Sequence, residues 1–242
     1  ITTWAAVIGG SMGGIRPVEW AVGYPTRLKQ AIILASTAYA SAEQIAWCQP
    51  QLLAIRQDPH FHGGDYYDQP AGPEAGLGLA RRIAHITYRS EPELSSRFGR
   101  SAQRGEDPLG RAGRYAVESY LDHQATKLTS RFDANTYLVL TEAMNSHDVG
   151  RWRGGLDAAL ARVEARCTVV DVDSDRLYPP RLTEEIVRGL GDRGRHASVS
   201  SIYGHDGFLI ELDQVGAIIA GALGAGPTSR RADPVESGSG SV

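Results

Sequence analysis

The sequence predicts an α/β fold: a partial, mostly parallel central sheet with flanking helices and a helical insertion. Three observations carry this expectation. The apolar run Ala5-Ala6-Val7-Ile8 enters a glycine-rich turn, Gly9-Gly10-Ser11-Met12-Gly13-Gly14, and a helix-compatible stretch around Val18 to Val22 follows. Three more short apolar or β-branched runs, 31–35, 167–172 and 197–202, recur with helical stretches nearby, as in βα units. Between the second and third runs, residues 38–150 abandon that rhythm for polar-rich helical patterns.

The elements follow in order. Residues 1–37 give strand, turn, helix and the strand Ala31-Ile32-Ile33-Leu34-Ala35. Pro17 lacks the N–H that a helix interior uses, so the regular helix is expected to begin near it. Residues 38–150 hold loops at 59–73 and 91–110. They also hold two amphipathic helical runs, 114–121 and 134–144. Helices inserted between two core strands read as a lid. Residues 151–223 return to core elements: strand 167–172, helix 180–190, strand 197–202 and a last helix, 215–223. The tail 224–242, rich in Gly, Ser, Pro and charge from Gly226 on, reads as disordered and without function. No internal repeat is visible.

Composition narrows the function classes. The net charge is −3, and no basic or aromatic-basic stripe points to nucleic acid. No stretch is long and apolar enough for a bilayer and none reads as a signal peptide, so a soluble, cytoplasmic protein is expected. Cys48 and Cys167 lie far apart and read as buried reduced thiols. His60 and His62 flank Phe61 in a Pro/Gly-rich loop; a metal site would need further ligands close by, so a solvated loop is expected there, with no metal, and no bound cofactor is expected in the chain.

The turn carries chemistry. Gly-x-Ser-x-Gly between a strand and a helix is the pattern of a nucleophile elbow, which lifts the serine hydroxyl above the sheet edge. Ser11 is the candidate nucleophile, and the Met12 N–H is the candidate oxyanion donor. A serine triad on this plan continues with an acid after a late strand and then a histidine. His205 lies after the fourth strand-like run, between Gly204 and Asp206-Gly207, and is the candidate base. Asp171 lies within the strand pattern, and Asp206 is too close to His205 in sequence to reach its Nδ1. Asp173 and Asp175 both fit the acid position.

Several strings together resemble one family. Gly-Gly-Ser-Met-Gly-Gly, Ser-Asp-Arg-Leu-Tyr-Pro-Pro (174–180) and Gly-His-Asp-Gly-Phe-Leu-Ile-Glu (204–211) are similar to the homoserine O-acetyltransferase family of the α/β-hydrolase superfamily. So are Leu79-Ala80-Arg81-Arg82-Ile83 and Thr87-Tyr88-Arg89-Ser90, and the resemblance runs from Ile1 to about Leu223. It implies an α/β-hydrolase fold with a triad of Ser11, Asp175 and His205. It implies that Arg81 binds the homoserine carboxylate with Tyr88 nearby, and that Asp206 binds its ammonium. The implied activity is transfer of an acetyl group from the co-substrate acetyl-CoA to L-homoserine, a step of methionine biosynthesis, in a homodimer built through the lid. A succinyl donor and a serine acceptor are the alternatives within the family, and an esterase of the same fold is the alternative outside it.

One departure stands out. In the family a long segment precedes the elbow and supplies the first strands and a second oxyanion-hole loop. This chain begins at Ile1 and reads as the C-terminal portion of a longer enzyme. Its Trp4–Ile8 run would then lie at an open sheet edge. The second oxyanion donor would be missing, which costs about 10²–10³-fold in rate. A chain that is inactive without its N-terminal half is therefore a further alternative.

Overall fold

The computed structural model describes residues 1–110 and 113–224. The expected tail from Gly226 onward lies outside the described residues. Four parallel strands form one sheet in the order β1-β2-β3-β4: Val7–Gly10, Gln30–Leu34, Arg166–Val172 and Gly194–Val199. Alternate side chains of the inner strands enter two cores, one on each face. Ala31, Ile33, Cys167 and Val169 pack on one side with Val18, Ala21 and Val22 of helix α1 (Met12–Gly23) and Ile186 of α8 (Pro180–Leu190). Ile32, Leu34, Val170 and Val172 pack on the other side with Val215 of α10 (Leu212–Ala222).

Between β2 and β3 the chain forms α2 (Ala42–Arg56), α3 (Glu74–Tyr88), α4 (Glu91–Phe98), α5 (Ala116–Thr129) and α6 (Ala134–Asn145). These helices build a core of their own from Leu52, Ile55, Leu77, Ala80, Leu128 and Leu138. A short helix, α7 (Leu156–Leu160), leads into β3, and α9 (Gly207–Ile210) precedes α10.

Three expectations shift. The segment 91–110 is not all loop, because α4 occupies its first eight residues. Ser90 accepts from the Glu93 N–H, Pro92 fills the first turn, and Glu91 and Glu93 face the positive helix end. The last strand ends at Val199 rather than Ile202, because the Ser201 N–H bonds to Asp173 instead of to a neighbouring strand. Helix α1 starts at Met12, with Pro17 in its interior. Without a proline N–H to accept, the Gly13 carbonyl is left over, and it lies against Gly9.

That contact leaves no room for a side chain at Gly9. A Cβ there would sit 2.0 Å from the Gly13 oxygen, which is backbone and cannot rotate away. Gly9→Ala is expected to cost about 2–3 kcal/mol and lower the melting temperature by roughly 5–10 °C, read by a thermal melt.

Candidate active site

Ser11 sits between β1 and α1 with φ +55° and ψ −128°, a conformation costly for a residue with a side chain. Two bonds hold it there. Its N–H donates to the Leu34 carbonyl at 2.9 Å, and its own carbonyl accepts from the buried Ser36 hydroxyl at 2.9 Å. A serine at a helix N-cap ordinarily bonds its hydroxyl back to the helix. This one makes no cap bond. Its Oγ instead lies 2.7 Å from Nε2 of His205. The Met12 N–H, at the first position of α1, has no acceptor within its helix.

The sheet delivers the other two groups. Beyond β3 the Asp175 N–H bonds the Val172 carbonyl, and its buried carboxylate turns under His205, with Oδ2 2.7 Å from Nδ1. With the imidazole proton on Nδ1, facing this carboxylate, Nε2 is the acceptor that faces Ser11. The other oxygen of Asp175 accepts the N–H groups of Leu177 and Tyr178, at 2.8 and 2.9 Å. The acid thereby holds both the histidine and the turn that carries its neighbour: the Tyr178 ring stacks on His205 at 5.0 Å and 26°. Phe208 meets the imidazole edge-on at 5.5 Å, and Tyr88 lies 5.9 Å away.

The other acids have separate partners. Asp171 accepts from Ser198 and bonds His196 within the sheet. Asp173 accepts from the Ser200 hydroxyl and the Ser201 N–H at the end of β4. Ser174 donates to the Ser201 carbonyl and accepts from the Gly204 N–H, which ties the acid loop to the histidine loop. Asp206 faces Arg89, with 3.2 Å between carboxylate and guanidinium.

A cavity of about 300 Å³ opens from Ser11 and Met12 into the inserted helices. Arg81, Tyr88, Cys48, Tyr137 and Tyr178 line it. Arg81 lies over the Tyr88 ring at 5.6 Å, and its buried Nε has no hydrogen-bond partner. Asp206 is not among the lining residues. Of the seven candidate residues, the cavity wall thus brings Ser11, Met12, Arg81 and Tyr88 together, His205 and Asp175 stand behind Ser11, and Asp206 is held aside by Arg89. Burial pushes the Tyr88 phenol up, against the pull of the Arg81 guanidinium. Burial also pushes the Cys48 thiol up to about 11 and that of Cys167 to about 12, so both are poor nucleophiles near neutrality.

Sequence reasoning assigned no part to Tyr178, Ser36 or Arg89. Tyr178 is the one with a local signal, since it follows the acid closely in a proline-bounded turn. Among the described residues, no group of three His, Cys, Asp or Glu side chains is placed to hold a metal, and no helix is long and apolar enough to cross a membrane.

Two buried histidines behind the site make stability depend on pH. Burial, with Arg81 and Arg89 nearby, holds His85 down at about 3, and burial also lowers His147. Both are neutral when folded but titrate near 6.5 when unfolded. Their contribution is complete above about pH 6.5 and is lost as pH falls toward the folded values. The melting temperature is expected to drop between pH 7 and 4.5, and His85→Gln is expected to flatten that slope.

A strand–elbow–helix turn, a hydrogen-bonded Ser–His–Asp row and a parallel sheet define an α/β-hydrolase-fold protein with a serine-centred site. Solved structures with the same fold include homoserine O-acetyltransferase from Bacillus anthracis. It has a TM-score of 0.85 and 24% identity, over 92% of this chain and 60% of that one. An acetylester hydrolase from Corynebacterium glutamicum has a TM-score of 0.76 and 26% identity, over 93% and 62%. By sequence the chain is a homologue of the homoserine O-acetyltransferases. It is 57% identical over 220 residues to the one from Thermobifida fusca, covering 90% of this chain and 58% of that protein. The chain therefore spans about three fifths of the length of the curated relatives it matches. No family model matches it.

Proposed function

We propose that this chain carries the nucleophile, acid and base of a homoserine O-acetyltransferase, which moves an acetyl group from acetyl-CoA to the hydroxyl of L-homoserine. The observation that carries the proposal is the placement of Ser11 Oγ, 2.7 Å from His205 Nε2, at the mouth of a cavity that also holds the Arg81 guanidinium. His205 takes the Ser11 proton as Oγ attacks the thioester carbonyl. The carbon–sulfur bond then breaks, and the proton leaves with the CoA thiolate. The Met12 N–H supports the developing oxyanion. Homoserine next gives its hydroxyl proton to His205, attacks the acyl-serine, and returns Ser11 to its starting form. A guanidinium binds a carboxylate through two parallel bonds, and Arg81 is in place to anchor the acceptor that way. For Asp206 to receive the ammonium, it must share its carboxylate with Arg89. No resident cofactor is needed. Pairing of two copies through α2–α6 belongs to the same proposal, with gel filtration as its test.

The test is acyl-CoA turnover with and without homoserine, with intact mass spectrometry to name the adduct. A Ser11 adduct of acetyl mass that homoserine discharges supports the transferase, and one of succinyl mass changes the donor. Turnover indifferent to homoserine replaces it with the esterase reading, which the likeness to an acetylester hydrolase favours. A folded chain with no adduct from either donor means that these residues need the remaining part of the enzyme.

A further inference from the structure

The corner between α3 and α4 touches the histidine loop at three points. The Ser90 hydroxyl, which caps α4, also donates to the Ile202 carbonyl. Gly204, with φ +65°, lies so close that a Cβ would stand 2.7–2.9 Å from Ser90 N, the Tyr88 carbonyl oxygen and Arg89 C. The Arg89 guanidinium reaches Asp206 at 3.2 Å and Glu93 at 3.9 Å, and Arg97 meets the same Glu93 oxygen at 3.5 Å. Glu93 is buried and the Arg89 side chain is only 13% exposed. The Arg89 Nε and the second Glu93 oxygen have no hydrogen-bond partner. Unsatisfied charged atoms at a buried junction weaken a fold. The ion pair at this junction therefore gives the fold little net stability.

We propose that Arg89 is a positioning residue for His205: its ion pair with Asp206 latches the histidine loop to the inserted helices and balances the charge beside the imidazole. The latch rests on the reading of His205 as the base that takes the Ser11 proton. Asp206 follows His205 in a single 3-10 turn, Gly204–Asp206. Pinning the Asp206 carboxylate fixes the rotation of that turn, and with it the aim of Nε2 at Ser11. The guanidinium charge lies 3.2 Å from that of Asp206 and offsets it beside the imidazole. The latch also makes α3 common to two tasks. The helix lines the acceptor cavity through Arg81, and the residue at its C-terminal end holds the base.

The titratable groups facing the imidazole are Ser11 from the elbow, Asp175 and Tyr178 from the loop after β3, and Tyr88 from α3, with Arg81 over the Tyr88 ring and Arg89 on Asp206; the apolar Phe208 meets it edge-on. The test follows the His205 ring by nitrogen-15 NMR through a pH titration. It compares the chain as it stands with Arg89→Gln, Asp206→Asn and the double variant. Removing Arg89 leaves Asp206 uncompensated, so the ring is expected to titrate about half a pH unit or more higher. Asp206→Asn leaves Arg89 uncompensated, and the ring is expected to titrate lower. The double variant is expected to return toward the parent. Opposite signs are the signature of charge balance, whereas a merely structural latch moves both single variants the same way. Single variants that shift in the same direction, or not at all, overturn the proposal. If Arg89→Gln does not fold, Asp206→Asn decides alone, and a ring that titrates unchanged or higher overturns it. Acylation of Ser11 is read separately by mass: opposite shifts without any adduct leave the charge balance standing and mean that acylation needs the remaining part of the enzyme.

Discussion

Ser11→Ala is expected to leave the chain folded and unable to form any covalent acyl adduct, with turnover of a small activated acetate ester reduced on the order of 10⁶-fold. The hydroxyl makes no cap bond to α1, so its removal takes nothing from the helix. Alanine at φ +55° is strained much as serine is, so the melting temperature is expected to stay within about 1–2 °C. A melt and an intact mass on the same sample check both halves. An adduct that persists on another residue would remove Ser11 from the mechanism.

Asp175→Asn is the second large effect. The carboxylate oxygen 2.7 Å from Nδ1 is an acceptor only, and it holds the imidazole proton on the side away from Ser11. An amide nitrogen in that place donates, drives the proton to Nε2, and leaves Ser11 facing a donor that cannot take its hydrogen. The acylation rate is expected to fall about 10⁴-fold with the fold retained. The other oxygen still accepts from Leu177 and Tyr178 if the amide is oriented with its nitrogen toward His205. The loss therefore falls on acylation rather than on the Tyr178 stack. The burst rate with the same ester measures it, and a fall of less than tenfold would mean that the histidine is oriented by its aromatic neighbours instead.

The parallel α/β architecture was legible because each core element announces itself locally. A β-branched run such as 167–172 has few other uses, and a glycine-flanked serine between strand and helix limits the turn to one shape. Helix α4 is hard to see in sequence because it is short and polar, with Leu94 and Phe98 as its large apolar side chains, and its signal lies in Ser90, Pro92 and Glu93, a cap rather than a face. The start of helix α1 is hidden in sequence because Pro17 signals a helix break, while the Gly9–Gly13 contact that accommodates it exists only in the fold. Local pattern does not tell Asp173 and Asp175 apart, since both sit in the same loop at the same parity, and in sequence only the family resemblance points to Asp175. Space separates them: one closes on the Ser200–Ser201 backbone, the other passes beneath His205. The Arg89–Asp206 pair joins positions with no pattern between them, and only the fold makes them neighbours.

The backbone of Ser11 has a bearing on how such a chain changes over generations. Glycine is the residue at ease with φ +55°, the angle that Ser11 holds. Ser11→Gly would remove the side-chain strain, a gain on the order of 1 kcal/mol, together with the chemistry. Selection for folding alone would thus discard the hydroxyl early. Serine at position 11 costs the fold some stability and supplies in return only a hydroxyl, held toward His205.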